Sequence, residues 1–419
     1  MGPPCRSLER AVFRSERSSQ SKVAHVAIIM NLISSLLPGD RLRWLAVLIV
    51  ACFVAVLLVQ SQSAASYPTY LIGLIMLFSV RAWRDLLSTP LLKWTMVLLV
   101  WLSLSVFWSD HFSWRDALSI WTRAVLVAAF VIALAECQLR GEVQRWLRIA
   151  MTFAGALVVL AALINFFVTQ PEDGRLNGLG QLDTHVIAAL VYGVIGILVL
   201  QQVVETPAKS LRWLGCIVLA LIMMAIYLSD SRNAWVSTVL GIGTLMLSYR
   251  VRDARQFISY FASFALMLTA SIGVMLLNDD IRAYLLPRGL SFRPEIWLQT
   301  LDKIAESSWL LGAGILTIDE VRAGELVFDH PHNMYLALMF QGGFIALGLF
   351  LVVTVISVAQ ALREYALPSA KLALSVFVLG LSAFLLDGHE LVDKIGEAWF
   401  LYWLPVGVCL GLSIRAVRE

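Results

Sequence analysis

Residues 328–358 read FDHPHNMYLALMFQGGFIALGLFLVVTVISV. From Met334 to Val358 no residue is charged. A helix over that run, at about 1.5 Å per residue, outreaches the roughly 30 Å hydrocarbon core of a bilayer. Apolar on every side, such a helix belongs in lipid, where its backbone satisfies itself. Directly before it stand Asp329, His330, His332 and Asn333. One stretch therefore sets both the fold class, membrane helices, and the place to look for chemistry, the mouth of a span.

The rest of the chain repeats the first half of that pattern. Its 419 residues are 59% hydrophobic and 15% charged, with a mean hydropathy of +0.79, too apolar for a water-soluble domain. Apolar runs predict twelve spans, near 42–60, 67–80, 91–108, 117–135, 149–168, 184–204, 211–228, 234–249, 257–277, 334–358, 369–386 and 396–414. The expected fold is an all-α polytopic membrane protein. Residues 1–30 form a basic tail, polar and without a signal-peptide core, and are expected to be dispensable because Met30 opens a plausible alternative start. Residues 31–419 form one transmembrane domain.

Lysine and arginine orient it. With the N-terminus cytoplasmic, Arg6 to Arg43 precede the first span, and most of the 32 basic residues fall on cytoplasmic loops or the C-terminal end. Both termini are then cytoplasmic. The net charge of +3 follows from this bias and makes no case for nucleic-acid binding. None of the five cysteines reaches an outer loop, so no disulfide is expected there.

Connections are short except residues 278–333, on the outer side. Trp297, Leu298, Leu301 and Ile304 recur there at helical spacing, and Trp297, Trp309 and the run LLPRGL fit a lid seated at the interface. The outer face also collects His111, His185, His330, His332 and His389, and the arginines Arg115, Arg123, Arg175, Arg232, Arg282, Arg288, Arg293 and Arg322. Outer arginines run against the positive-inside rule, and a guanidinium fork suits phosphate oxygens. Pairing with nearby carboxylates is the plainer explanation for several of them. Arg232 differs, since LSDSRNAW joins two spans by a very short turn and puts it at membrane depth, with Asp230 as a ready partner. Arg123, inside a span, raises the same question.

In order, SDSRNAW (229–235), SFRPEIW (291–297), WLLGAG (309–314) and HNMYLALMFQGGFIALG (332–348) resemble the shared core of the O-antigen ligase and polymerase superfamily. Departures are Asn233, where relatives commonly have glycine after the arginine, and GRLNGLGQLDTH (174–185), which lacks an Asn-Pro-Asn and leaves Asp183 and His185 without a matched role. The resemblance implies a GT-C-like glycosyltransferase in the bacterial inner membrane, acting at the periplasmic face. It implies an undecaprenyl-diphosphate-linked glycan as donor and the lipid A–core oligosaccharide as acceptor. The polymerase branch tends to carry Arg, ten residues, Gly, and no glycine lies eleven positions after Arg175, Arg282, Arg288 or Arg293. The branch that glycosylates proteins usually adds a soluble region. Ligase is the preferred reading, with polymerase and protein O-oligosaccharyltransferase as alternatives. A twelve-span transporter is the alternative of another class; it would gather polar residues at the bilayer midplane rather than at one face.

For the reaction, His332 is expected to be the base, with Arg232 and Arg293 clamping the diphosphate. Arg175, Arg288, Arg123, Asn333, His330 and His389 are expected to bind substrate. His330 or His389 is the alternative base. Pro331 suits the first position of a helix, so His330 or Asp329 would cap it and His332 would lie in its first turn. Gly342 and Gly343 would let a neighbouring helix approach. The outer side has no Asp-x-Asp pair. His330-x-His332 with Asp329 could bind zinc, with Asp387, His389 and Glu390 as further ligands, but a zinc site needs a convergent set of three or four, which the linear order does not show. No metal or cofactor is expected, and inversion follows if the hydroxyl attacks directly.

Overall fold

The computed structural model describes residues 83–139, 141–180, 182, 184–277, 292–324 and 326–418. The expected spans at 42–60 and 67–80, the basic tail, Asp183, Arg282, Arg288 and the run LLPRGL lie outside the described residues.

Every predicted span from residue 91 onward coincides with helix. After a short α1 (Trp83–Ser88) come α2 (Pro90–Leu104) with a 3-10 turn at Ser105–Trp108, α3 (Trp114–Gln138), α4 (Gly141–Thr169), α5 (His185–Glu205), α6 (Lys209–Leu228), α7 (Arg232–Arg250) and α8 (Ala254–Leu277). The outer segment supplies α9 (Arg293–Glu306) and a hairpin of β1 (Val321–Ala323) and β2 (Leu326–Phe328). Then follow α10 (Met334–Arg363), α11 (Pro368–Ala383), a π-helical turn at Trp399–Trp403 and α12 (Leu404–Arg418). Among the described residues, six helices are long and apolar enough to cross a membrane: α2 with its 3-10 turn, α3, α4, α5, α6 and α10. The apolar helices Pro368–Ala383 and Trp399–Ile414 are shorter.

Burial shows which helices form the centre. In α5, 78% of the most apolar window is buried inside the protein, against 17% in α6, which turns most of its surface outward. Around α5 pack α6, α7 and α11; α12 packs on α3 and α11, and α2 on α10. Small residues permit this closeness. A Cβ at Gly193 would stand 2.3 Å from Thr238 Oγ1, and one at Gly241 only 2.9 Å from the Leu379 Cβ.

The outer segment is ordered by its own small core. Ile296, Thr300 and Ile304 are buried on one face of α9, and Ile296 packs with Val321 and Ala323 of the hairpin. Of the expected apolar stripe, Ile304 is buried and Trp297 and Leu301 pack against the Ile296 and Ile304 clusters, while Leu298 is 64% exposed. Trp297 donates from Nε1 to the Pro331 carbonyl at 3.1 Å, tying the helix to the mouth of α10.

Gly342 lets the neighbouring helix α2 approach as expected, since a Cβ there would stand 3.2 Å from Trp101 Nε1 and 3.3 Å from Leu102 Cδ2, whereas Gly343 serves a different neighbour. Gly342 and Gly343 leave helical geometry and break α10, with Gly343 at φ 67°. A Cβ there would lie 2.0 Å from the Leu310 carbonyl oxygen, and one on Gly312 (φ 70°) would lie 2.4 Å from the Phe340 carbonyl. The approaching backbone is thus the WLLGAG segment. It is bonded in place by Ala313 N to Phe340 O at 2.6 Å and Phe344 N to Trp309 O at 2.8 Å. The next residues are stitched to α2, as Ser105 and Ser109 Oγ accept from Ile315 N and Leu316 N, each at 3.1 Å. The reason is chemical: the break in α10 frees polar backbone groups that must find partners inside the protein.

Candidate functional site

The site is assembled at the start of α10. Asn333 is its N-cap, with Oδ1 accepting from Tyr335 N at 3.0 Å and Leu336 N at 3.1 Å. This corrects the expectation that His330 or Asp329 caps the helix and that His332 sits in its first turn. A short amide one residue before Met334 satisfies the free N–H groups better than an imidazole does. His332 lies outside the helix, at φ 49°. A left-handed conformation is costly for a residue other than glycine, so its surroundings must impose it.

What imposes it is the C-terminal turn of α11. Its successive carbonyls Ala383, Phe384, Leu385 and Leu386 accept from Asn233 Nδ2 (3.1 Å), Met334 N (3.0 Å), Asn333 Nδ2 (3.0 Å) and Arg293 Nε (2.9 Å). Carbonyls at a helix end lack intrahelical donors, and here α9 and α10 supply them for Phe384, Leu385 and Leu386. Asn233 of α7 adds to the Ala383 carbonyl, which also accepts from Leu386 N and Asp387 N at 3.0 Å. The starts of those three elements are thereby locked around one turn, and Asp387 follows at once.

Asp387 Oδ1 accepts from Gly388 N at 2.9 Å and stands 3.2 Å from His332 Nδ1. Burial raises its carboxyl pKa, but the bond to His332, the charge of that ring, the Gly388 N–H and Arg293 together bring it below the ordinary value. His330 Nε2 is 3.1 Å from His332 Nδ1, and His330 Nδ1 is 2.5 Å from Asp329 Oδ1. One tautomer assignment serves all these contacts: each ring carries its proton on Nδ1 and gives it to a carboxylate. His332 Nε2 is then a lone pair without a protein partner among the described residues. The remaining rings are less suited to accept a proton. Burial and then His332 push His330 down. Burial and then His330 push His389, stacked on His330 at 4.1 Å, down to about 4.

The arginines divide into two groups. Arg293 reaches the Asp387 turn. Arg175 stands 3.5 Å from Asp230 and 3.4 Å from His185 Nε2. Asp230 thus pairs with Arg175 rather than with Arg232 as the sequence suggested. Arg232, first residue of α7 behind its cap Ser231, is exposed and makes no ion pair among the described residues. Arg123 belongs elsewhere: its Nη1 meets Asp393 at 3.0 Å and Glu390 at 3.7 Å.

Sequence reasoning missed the carboxyl-bearing stretch 387–397. In that stretch, linear order offers Asp387 and Glu390 only as further metal ligands. Its signal was present, since three ionisable groups, Asp387, His389 and Glu390, directly follow an apolar span. Burial first, with Asp393 next, pushes Glu390 up to about 8. One further correction concerns metal ligands. One ligand atom each of His330, His332 and Asp387 lies within 4.8 Å of the others, a convergence across 55 residues of chain that the linear order hides.

Comparisons agree with the earlier motifs. Residues 216–351 match a family model described as O-Antigen ligase, a span that holds Arg232, Arg293, His332 and Asn333. A protein of Pseudomonas aeruginosa named O-antigen ligase is 27% identical over 345 residues, covering 82% of each chain.

Proposed function

We propose that this chain, a member of the O-antigen ligase family, transfers a glycan from undecaprenyl diphosphate to the lipid A–core oligosaccharide. The site would face the periplasm from a GT-C-like fold in the inner membrane, with both termini cytoplasmic. The observation that carries the reading is the Asp387–His332 pair, 3.2 Å apart, set beside Arg293.

Each group then has a task. Asp387 holds the Nδ1 proton of His332, which leaves Nε2 to take the proton of an acceptor hydroxyl. The hydroxyl oxygen bonds to the anomeric carbon, and the bond from that carbon to the diphosphate oxygen breaks with its electrons on the diphosphate. Arg293, Arg232 and Arg175 offset the charge that grows there. Arg288 remains a further candidate for this clamp. Asn333 fixes the loop that carries His332 and so positions the base. A direct attack inverts the anomeric centre.

No metal is assigned a step, because guanidinium groups supply the positive charge and the His332 Nδ1 is occupied by Asp387. Transfer insensitive to chelator is therefore expected; loss in chelator with recovery on adding a divalent ion would remove this part of the proposal.

The deciding experiment gives purified protein in nanodiscs a defined undecaprenyl-linked glycan. Offered a core acceptor or a second lipid-linked repeat unit, it should glycosylate the core. Exclusive extension of the lipid-linked unit would assign it to polymerases instead, and exclusive transfer to a protein to the protein-modifying branch. Solute uptake without glycan transfer would restore the transporter reading.

A further inference from the structure

A cavity of about 290 Å³ opens beside the histidine pair. His330 and His389 form part of its wall, whereas His332, Asp387, Arg175, Arg232 and Arg293 are not among the described residues lining it. It is thus next to the reacting groups without containing them.

Three enclosed polar atoms in its lining residues have no hydrogen-bond partner among the described residues: the acceptor Gln341 Oε1, the donor Arg123 Nε, and Asp319 Oδ1, the last already ion-paired with Lys303 at 3.1 Å. Gln341 is only 9% exposed, and its Nε2 is already committed to the His389 carbonyl at 2.9 Å. Buried donors and acceptors are normally paired. An enclosed donor and acceptor in one cavity suit a ligand whose groups both give and accept hydrogen bonds, as hydroxyls do. Ser119, on the α3 side of the same cavity, adds a hydroxyl of its own.

Charge narrows the ligand further. Among the described residues, the carboxylates Asp116, Asp319 and Asp329 line the cavity, Asp319 already held by Lys303 at 3.1 Å. The one arginine among those lining residues, Arg123, already faces Asp393 and Glu390 at 3.0 and 3.7 Å. A phosphate or carboxylate would meet acid without a free cation, while neutral hydroxyls would find carboxylate acceptors. The volume sits at the lower end of ligand pockets, about 300–1,000 Å³, enough for one ring rather than a chain.

We infer that this cavity is a subsite for one uncharged pyranose ring of the acceptor oligosaccharide, adjacent to the ring whose hydroxyl reacts. The inference rests on the transfer reaction proposed above. The acceptor is assigned here, and not the donor, because a diphosphate-linked sugar is drawn to Arg293, which bonds the Leu386 carbonyl beside Asp387 and does not line the cavity among the described residues.

The test uses Gln341→Leu and Ser119→Val, neither a group assigned to the reaction, in full-length protein in nanodiscs. Transfer kinetics are measured against a core oligosaccharide and against the lipid-linked donor separately. Each variant is expected to raise the acceptor KM about tenfold, the loss of one well-placed hydrogen bond, with kcat and donor KM unchanged. A core carrying a carboxylate on the adjacent ring should show a similar rise with the wild-type protein. Acceptor KM within twofold of wild type in both variants, or a matching rise in donor KM, overturns the assignment. Saturation-transfer NMR with free core oligosaccharide separates the two proposals. Binding that Gln341→Leu abolishes, in a wild-type protein that transfers nothing, would sink the ligase reading and keep the subsite.

Discussion

Replacing Asp387 by Asn tests the centre of the mechanism with almost no change of shape. In the native site the carboxylate oxygen is 3.2 Å from His332 Nδ1, with side-chain exposures of 26% for His332 and 15% for Asp387. At an effective dielectric constant of about 20, a full imidazolium–carboxylate pair at that distance is worth about 5 kcal/mol. If about half the positive charge has developed on the ring at the transition state, roughly 2.5 kcal/mol is lost in the variant, close to 10²-fold in rate. The amide adds a second defect. Its N–H₂ can turn toward Nδ1, which moves the ring proton to Nε2 and closes the atom that must accept. Together these predict a fall of about 10²–10⁴-fold, the range general-base catalysis supplies. The assay is single-turnover transfer at saturating donor and acceptor, with donor affinity and melting temperature recorded beside it. His332→Ala should fall as far and His330→Ala much less. A rate within threefold of wild type from well-folded Asp387→Asn would show that Asp387 does not orient the base.

Arg232→Lys and Arg293→Lys keep charge and lose the planar fork, so each should lower kcat by about tenfold or more; full activity in both would remove the clamp. Gly343→Ala forces a side chain into φ 67° and to 2.0 Å from the Leu310 carbonyl. It should destabilise by more than about 2 kcal/mol and lower the melting temperature in detergent, since the left-handed backbone alone costs about 1–2 kcal/mol; an unchanged melt would refute the interlock. Glu390 has a folded pKa raised from 4.5 to about 8. The folded state then holds more protons than the unfolded chain, and this stabilisation, complete below pH 4.5, is lost as pH rises through about 8. Melting temperature should drop across that window, and Glu390→Gln should flatten the drop; an unaltered slope would deny Glu390 its share.

What the sequence by itself determined is the part of this protein written in short range. A run such as 334–358 can hide its backbone polar groups only as a helix, so apolar length alone placed the described helices from α2 onward, except α9, which helical spacing placed. His332 and Asn333 announced themselves as polar groups at the mouth of such a run, and Arg232 by its short turn. Those signals are local because lipid acts on each segment separately. The tertiary structure decided everything that depends on meeting. Asp387 lies 55 residues from His332 and becomes its partner only because Asn233, Met334, Asn333 and Arg293 all bond the same turn of α11. WLLGAG and the glycine pair read as separate motifs, yet they are two halves of one backbone contact. Asp230 stands two residues from Arg232 but faces Arg175. Periodicity reports which face of a helix is apolar. It carries no information about which polar ends share a turn, since that depends on packing between helices distant in the chain.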